Sequence, residues 1–340
     1  SVGLSDSEPA METTNPSNLE NVVVPAEEIS IEPEVSTEGN MAASISVDAP
    51  MSLQDFRCCS VLARGEFGKV LLSEHLKMKR MFAIKAMEKD IQTVTEELAS
   101  QTHHPFLVNL VASFQSNLHV FLVMEYAAGG DLKSHLMKAS GFYAACVVLG
   151  LKFLHKHEII HRDIKLANIV LDQDGYARIT DFGICKEGIG YGARTRTVCG
   201  TLEYVAPEIL RGRSYTRSVD WWSFGVLLYT MLVGKVRLVY IIKLFENLDT
   251  DINILLDRNP VLRLGAGRNG ASDVKKHLFF RETNWKKMKA RKVRPPFIPT
   301  IQGPEDTGTP CGDPVLTPPR RRHITQEYFE DFDWTAEGAE

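Results

Sequence analysis

Short runs of β-branched and aromatic residues dominate the chain between positions 56 and 126. They have strand length, and the gaps between them are turn-like. After Gly130 the apolar stretches become longer and are apolar almost all round, which predicts buried helices. The sequence therefore predicts an α+β fold with a strand-rich lobe followed by a helix-rich lobe. The predicted strands cover 56–62, 70–73, 81–86 and 120–126, and the predicted helices cover 142–155 and 218–233.

The two ends of the sequence differ from this globular part. The first 50 residues contain ten acidic residues and no Lys or Arg, so they cannot bury enough apolar surface to fold. Beyond about residue 294 the chain is Pro-rich and is expected to lie extended over a surface. The sequence therefore predicts a disordered acidic leader over 1–52, a two-lobed domain over 56–280 and a tail over 281–340. The two lobes are predicted at about 56–127 and 128–280.

Composition, charge and cysteine pattern exclude several classes of protein. Hydrophobic residues make up 44% and charged residues 24% of the 340 positions, which excludes a wholly disordered or collagen-like chain. Outside the leader the charge is only mildly basic, so nucleic acid is not an expected partner. The six cysteines form no C-x-x-C pair, which argues against zinc sites and a disulfide framework. With no transmembrane segment or signal peptide in the pattern, a cytoplasmic location is predicted, with the nucleus or a membrane periphery as alternatives.

The first candidate chemistry lies between the first two strands. Gly65 and Gly68 would let a hairpin backbone approach phosphate groups, and Val70 would cover an adenine ring. A simple hairpin turn with two glycines explains the same pattern. Lys85 follows on a predicted strand, where burial is costly unless the ammonium meets an anion such as phosphate. An edge-strand lysine with its ammonium in water is the alternative.

The most informative chemistry lies in residues 159–168 and in Asp181-Phe182-Gly183. Asp163 has the spacing to orient a hydroxyl nucleophile, and Lys165 to meet a transferring phosphoryl group. Asn168 and Asp181 supply the hard oxygen donors that Mg²⁺ prefers. The set predicts metal-assisted phosphoryl transfer.

Together with Ala206-Pro207-Glu208, these motifs make the sequence resemble a eukaryotic protein kinase. Within that family the Pro-rich tail, a turn motif at 316–319 and a hydrophobic motif at 329–334 resemble the AGC group. Asp333 and the segments 142–151 and 185–188 are similar to protein kinase N. The resemblance covers about residue 56 to the last residue, and it implies a Ser/Thr protein kinase acting in intracellular signalling with ATP and Mg²⁺.

The resemblance also assigns roles residue by residue. Asp163 and Lys165 would be catalytic, and Asn168 with Asp181 would hold Mg²⁺. The nucleotide-binding set it implies is Leu62, Gly65, Gly68, Val70, Ala83, Lys85, Glu125, Ala127 and Asp131. In this set Lys85 would hold the α- and β-phosphates, the backbones of Glu125 and Ala127 would bind adenine, and Asp131 would face the ribose.

Regulatory and structural roles follow in the same way. Thr197 and Thr317 would be phosphorylation sites, and an upstream kinase would act on Thr197, whose phosphate could pair with Arg162. Protein substrates would present Ser or Thr as acceptors. Two roles are expected to be purely structural: Glu208 paired with Arg263, and Asp220 bonded to the catalytic-loop backbone. The repeats that bind Rho-type GTPases in protein kinase N are not found in the sequence, so GTPase binding is not supported.

Several positions depart from the family pattern. Ala63 replaces a loop glycine, Ala167 an acidic residue, and Leu202 a proline. Segments near 86–103, 133–141 and 235–257 are shorter than in the family. The first of these leaves Lys85 with only Glu96 or Glu97 as candidate partners, and it removes one wall of the groove that would receive the tail.

Three interpretations therefore stay open. An active kinase is favoured, a catalytically impaired kinase-fold scaffold is the main alternative, and a poorly folding derivative is the third.

Overall fold

The structure is a computed structural model, and it describes residues 51–65, 68–89, 103–133, 140–234, 253–300 and 332–336. The acidic leader before Met51, Glu96, Glu97 and Thr317 lie outside the described residues. Within the described part, no helix combines the length and the apolar composition that crossing a bilayer requires.

An antiparallel sheet forms the first lobe. Its strands run in the order β1-β2-β3-β5-β4, and a short strand from far downstream, β8, joins β4 at the edge. All four predicted strands are present, with later ends for the first three, but the strand Leu110–Gln115 was not predicted. The bounds are β1 Phe56–Gly65, β2 Gly68–His75, β3 Arg80–Glu88, β4 Leu110–Gln115, β5 His119–Glu125 and β8 Trp334–Thr335.

The second lobe is helical around one apolar core. Both predicted buried helices are present. The second, Ser218–Val233, ends where Gly234 adopts φ 82°, a left-handed conformation that glycine reaches without strain. A two-stranded sheet lies between Asn168 and Asp181 in the chain. The helices are α1 Ser140–Lys156, α2 Pro207–Leu210, α3 Ser218–Val233, α4 Ala271–Lys276 and α5 Trp285–Lys289; the two strands are β6 Ile169–Leu171 and β7 Ala177–Ile179; the 3-10 turns are Leu53–Asp55, Leu166–Asn168, Leu202–Tyr204 and Leu278–Phe280.

The first lobe begins earlier than the sequence indicated. Met51, assigned to the end of the leader, is only 3% exposed and packs with Phe56 and Phe82 in the core of the first lobe. The N–H and hydroxyl of Ser52 donate to the Asp55 carboxylate, and the carbonyl of Ser52 accepts from the N–H of Asp55. Residues 51 and 52 therefore belong to the lobe.

The tail reaches the first lobe, although the shortened segment had left its docking open. Phe332 is 2% exposed and packs with Met87, Leu110 and Val120. Ser113 in β4 donates through its hydroxyl to the carbonyl of Phe332. Edge pairing with β4 and this apolar contact together seat the segment 332–336 against the sheet.

The Phe332→Ala substitution is expected to release this segment. Removing the ring exposes an apolar pocket and forfeits roughly 1.5–3 kcal/mol of docking free energy. Faster amide hydrogen exchange in β4 and earlier proteolysis near residue 332 would report the release. Asp333→Asn keeps the ring of Phe332 and alters polar interactions, among them those with Gln115 and Lys89, so it should change both readouts less than Phe332→Ala does. Unchanged exchange in Phe332→Ala would contradict the seating.

Residues 291–299 lie against the second lobe, where Phe297 packs on the core and Pro299 lies beside Gly129. From residue 294 to 299 the chain forms no helix or strand. Arg291 contacts the carboxylates of Asp172 at 2.6 Å and Asp174 at 3.0 Å, and its guanidinium lies over the ring of Tyr176. Tyr176 donates through its hydroxyl to the carbonyl of Val293. These contacts of Arg291 and Val293 with residues 172–176 hold the start of the tail against the second lobe.

His104 is a buried imidazole at the entrance to β4. Burial lowers its pKa from the ordinary 6.5 to about 4, and the positive charge of Lys289 acts in the same direction. The neutral ring accepts a hydrogen bond from the N–H of Phe106 and stacks on Phe153. Between pH 6.5 and 4, His104 is therefore protonated in the unfolded chain but not in the folded one.

We therefore expect the free energy of unfolding to fall as pH decreases from about 6.5 to 4. Chemical denaturation at several pH values should show a shallower decline for His104→Gln than for the wild type. His119→Gln is the comparison: burial lowers the pKa of His119 as well, but less than that of His104, so the decline should change less. Equal slopes for wild type and His104→Gln would contradict the assignment.

Candidate functional site

Asp220 holds the catalytic loop from beneath. Its buried carboxylate accepts from the backbone N–H groups of His161 at 3.0 Å and Arg162 at 2.8 Å, and it contacts Nε2 of His155 at 2.8 Å. Burial alone would raise the pKa of Asp220, but the hydrogen bond and charge of His155 outweigh it, so the pKa lies below its usual value. The expected structural role of Asp220 is confirmed.

Two non-glycine residues of this region have left-handed backbone angles. Arg162 has φ 68° and Asp181 has φ 65°. Such conformations are costly for residues with a Cβ and persist where surrounding bonds impose them. At Arg162 the bonds to Asp220 serve this purpose, and the strained backbone aims the next residue, Asp163, into the site.

Asp163 is the centre of a dense polar network. Its Oδ2 accepts from Nζ of Lys165 at 2.6 Å and from Nδ2 of Asn168 at 2.9 Å. Its Oδ1 accepts from the N–H of Thr201 at 3.1 Å and from the Thr201 hydroxyl at 2.7 Å. These donors fix the position of the carboxylate, the kind of group that can orient a hydroxyl and receive its proton.

Two oxygen atoms of the site, from Asn168 and Asp181, could bind Mg²⁺. Asn168 uses its amide nitrogen for the carbonyl and carboxylate of Asp163, which leaves its amide oxygen for a cation. Asp181 adds a partly exposed carboxylate. Both are hard oxygen donors, the kind that Mg²⁺ takes together with substrate phosphates. The residues present therefore fit the predicted ion.

Lys85 is buried and has an anionic partner. Strand pairing places it opposite Val70 and Leu122, and its Nζ lies 3.1 Å from Oδ1 of Asp181. Burial would raise the pKa of Asp181, but the Lys85 ammonium outweighs it and holds the pKa below its usual value. Glu96 and Glu97, the partners considered from sequence, lie outside the described residues.

The glycine-containing hairpin is formed as predicted. Gly65 pairs with Gly68 at the end of β1 and β2. Gly68 has φ 141°, and a Cβ there would lie 2.1 Å from the carbonyl oxygen of Ala86. Only glycine fits at this position, so the requirement comes from strand packing whether or not a phosphate binds nearby.

The structure locates the other predicted nucleotide residues around the sheet and the connection to the second lobe. Leu62 and Val70 are half-buried in β1 and β2, and Ala83 is buried in β3. Ala127 accepts a backbone bond from Gly130, and Asp131 forms a bridge with Val170 of β6. Leu62, Val70 and Ala83 thus lie on the sheet of the first lobe, whereas Ala127 and Asp131 lie on the connection to the second lobe.

Glu125 has a role that the sequence did not indicate. Its N–H donates to the carbonyl of Asn109. Its side chain accepts from Nδ2 of Asn109 at 2.7 Å and pairs with Arg178 of β7. This cluster ties the connection between the lobes to the second lobe. No sequence signal identified it, because its members lie on three separate segments.

Thr197 is exposed. It lies on the segment between Asp181-Phe182-Gly183 and Ala206-Pro207-Glu208, which is called the activation segment below. The backbone carbonyl of Thr197 accepts from the hydroxyl of Tyr215 at 2.6 Å. Arg162, the predicted phosphate partner, donates to the carbonyls of Ile184 at 2.5 Å and Cys185 at 3.0 Å. The expected pair of Glu208 with Arg263 is confirmed, with contacts of 2.7 and 3.0 Å.

Thr201 and His161 are site residues that sequence reasoning missed. The Thr201 hydroxyl lies 2.8 Å from Nζ of Lys165 as well as bonding Asp163. Nδ1 of His161 accepts from the N–H of Asp163, and its Nε2 contacts the carbonyl of Thr180. Both residues lie in quoted motifs, but the motifs do not reveal which side chains converge on Asp163.

This fold and site define the class of protein. The sequence matches the protein kinase domain family over residues 56–264, and the chain belongs to that family. The resemblance to AGC-group kinases of the protein kinase N type and the two-lobed fold are both confirmed.

Individual relatives agree with this assignment. Serine/threonine-protein kinase N2 of Danio rerio is 46% identical over 334 residues, covering 85% of this chain and 34% of that protein. Serine/threonine-protein kinase N3 of Mus musculus is 42% identical over 339 residues, with 87% and 39% covered. Protein kinase C of Aspergillus fumigatus is 39% identical over 331 residues, with 85% and 30% covered. The chain thus spans about a third of the length of these relatives.

Proposed function

We propose that the chain is a Ser/Thr protein kinase that transfers the γ-phosphoryl group of ATP to hydroxyls of protein substrates. The observation that carries this is the convergence of Lys165, Asn168 and Thr201 on the two carboxylate oxygens of Asp163. A carboxylate held in place by fixed donors can orient a hydroxyl and accept its proton.

In the transfer, the acceptor oxygen forms a bond to the γ-phosphorus as the bond from that phosphorus to the ADP oxygen breaks. The hydroxyl proton passes to Asp163. Lys165, already 2.6 Å from Asp163, places its ammonium where the transferring group passes and offsets the negative charge there. Lys85 would turn from Asp181 toward the α- and β-phosphates.

The nucleotide would lie between the glycine hairpin and the link to the second lobe. Leu62, Val70 and Ala83 would contact adenine, the carbonyl of Glu125 and the backbone of Ala127 would bind its edge, and Asp131 would face the ribose. Asn168 and Asp181 would hold Mg²⁺, which when bound neutralises phosphate charge. These assignments rest on donor chemistry and on the family resemblance.

Finer parts of the proposal concern the chain's regulation and its environment. Phosphorylation of Thr197 by an upstream kinase would add negative charge beside an arginine-rich segment. Thr317 is a second candidate site outside the described residues. A cytoplasmic location and the division at residue 280 between kinase domain and tail belong to the same proposal.

The main alternative is a catalytically impaired scaffold with the same fold. It would bind nucleotide or partners without transferring phosphate. The alternative draws on the shortened segment near 86–103. The contacts of Lys165, Asn168 and Thr201 with Asp163 do not involve that segment, which supports the active kinase.

Radiolabelled phosphate transfer from Mg²⁺-ATP to a Ser/Thr peptide tests the proposal. The whole chain is assayed beside Asp163→Asn purified in the same way, and beside a peptide with Ala at the acceptor. Label that requires both Asp163 and the acceptor hydroxyl is the expected result. A folded wild type with no more label than Asp163→Asn would overturn the proposal and favour the scaffold.

A further inference from the structure

Four exposed arginines lie together on the activation segment and the loop that follows α2. Arg194 and Arg196 precede Thr197, whereas Arg211 and Arg213 flank Gly212. This arginine surface is separate from the Asp163 network. Neither the family resemblance nor the transfer chemistry uses it.

Backbone pairing brings the two segments together. Thr195 and Tyr215 exchange hydrogen bonds of 3.0 and 2.9 Å. Nε of Arg196 lies 3.4 Å from the carbonyl of Gly212, the residue between the other two arginines. Nη1 of Arg194 donates to the carbonyl of Ser214 at 3.1 Å. The four side chains therefore share one surface.

The loop that presents this surface is held from below. The N–H of Gly212 donates to Ile209 at 2.9 Å, and that of Arg213 donates to the carbonyl of Glu208 at 3.0 Å. Glu208 is in turn clamped by the buried Arg263. Because the backbone is fixed in advance, a ligand would need to order only the guanidinium ends.

The charge of the arginine surface is not neutralised within the part of the chain that the structure describes. None of its four arginines forms an ion pair there. Between residues 191 and 217 the acidic residues are Glu203 and Glu208, and Glu208 is committed to Arg263. Each guanidinium carries five N–H donors in a planar fork that matches a carboxylate.

Apolar side chains accompany the arginines. Val198 is 66% exposed and Leu210 is 55% exposed, and each is within two residues of one of the arginines. A polyanion such as nucleic acid would match the charge but not the apolar side chains. A polypeptide that mixes acidic and apolar residues matches both.

We infer that this arginine surface binds an acidic segment of the protein substrate, rich in Asp and Glu, outside the residue that is phosphorylated. The inference rests on the proposed function and adds a substrate class to it. Binding there would raise the local concentration of the acceptor at the Asp163 site. Substrates with such a segment should show a lower KM.

The kinetic test uses two peptides with one acceptor sequence, extended by glutamates in one and by glutamines in the other. For the wild type we expect a KM about threefold to tenfold lower with the glutamate peptide, as for a few exposed ion pairs. Arg211→Gln/Arg213→Gln should remove that preference, because two of the four guanidinium groups are lost. Neither side chain supports the fold, so the variant should fold like the wild type. Lys286→Gln/Lys287→Gln, an equal loss of exposed charge on α5, should retain it.

Other outcomes overturn the inference. A preference that persists in Arg211→Gln/Arg213→Gln places the acidic contact elsewhere. If Arg211→Gln/Arg213→Gln slows transfer equally to the glutamate and glutamine peptides, the arginines serve the activation segment itself, for example by binding a phosphate on Thr197. Absence of any preference in the wild type removes the claim.

A binding measurement keeps this inference separable from the proposed function. Fluorescence anisotropy of a labelled glutamate peptide without an acceptor is measured with Asp163→Asn, which needs no catalysis. Weaker binding after the Arg211→Gln/Arg213→Gln change supports the surface even if no variant transfers phosphate. Tighter binding of a single-stranded oligonucleotide at the same arginines would assign the surface to nucleic acid and overturn the inference.

Discussion

Replacing Asp163 with Asn is expected to lower kcat by about 10²–10⁴-fold, the usual contribution of a positioned general base. The amide cannot take the hydroxyl proton. Donors also face both carboxylate oxygens, from Lys165 and Asn168 on one side and Thr201 on the other. Either orientation of an asparagine would turn its NH₂ group against a donor, so the acceptor would lose its position as well as its base.

The measurement is steady-state transfer at saturating Mg²⁺-ATP, with ATP binding followed separately by thermal shift. We expect the nucleotide-induced shift to survive in Asp163→Asn, because the adenine and phosphate contacts lie elsewhere. Thr201→Val, which removes one hydroxyl and keeps the shape, should reduce kcat less. A decrease below about tenfold in Asp163→Asn would show that another group receives the proton.

The second large effect is on stability. Arg263→Met is expected to lower the free energy of unfolding by about 3–5 kcal/mol, because it leaves the Glu208 carboxylate buried without its partner. Arg263 also donates to the carbonyls of Ser218 at 3.0 Å and Asp257 at 3.1 Å, and its guanidinium stacks over Trp222. One substitution therefore orphans several buried acceptors at once.

Urea denaturation of Arg263→Met beside Arg281→Met provides the test. Arg281 forms an exposed pair with Glu282 at 3.7 Å, which is expected to contribute at most about 1 kcal/mol. Glu208→Gln/Arg263→Met should recover part of the loss, since it removes the unpaired charge. Similar midpoints for Arg263→Met and Arg281→Met would show that the buried pair contributes no more than the exposed one.

Local patterns predicted the helices better than the sheet. The helix 218–233 matches its predicted bounds because an apolar stretch of that length has few other ways to be buried. The strand Leu110–Gln115 was missed. Its residues are buried on both faces and show no alternation, so its pairing with β5 and β8 depends on contacts that sequence periodicity does not carry.

The catalytic motifs fixed residue types and order, but not their partners. The spacing of Asp163, Lys165 and Asn168 was sufficient to expect them at one site. That Lys85 contacts Asp181, and that Glu125 meets Arg178, follows from how the two lobes bring distant segments together. Long-range polar contacts of this kind leave no periodic signal, because each residue alone resembles an ordinary surface charge.

The placement of β8 has a consequence for how the chain folds. The bond between Ser113 and Phe332 joins residues separated by 219 positions, so the sheet of the first lobe is incomplete until residues 332–336 have been synthesised. A contact of such long range is slow to form, since loop-closure entropy opposes it before any contact rewards it. During synthesis β4 is therefore an open sheet edge, and its last partner arrives only after the helical lobe has emerged.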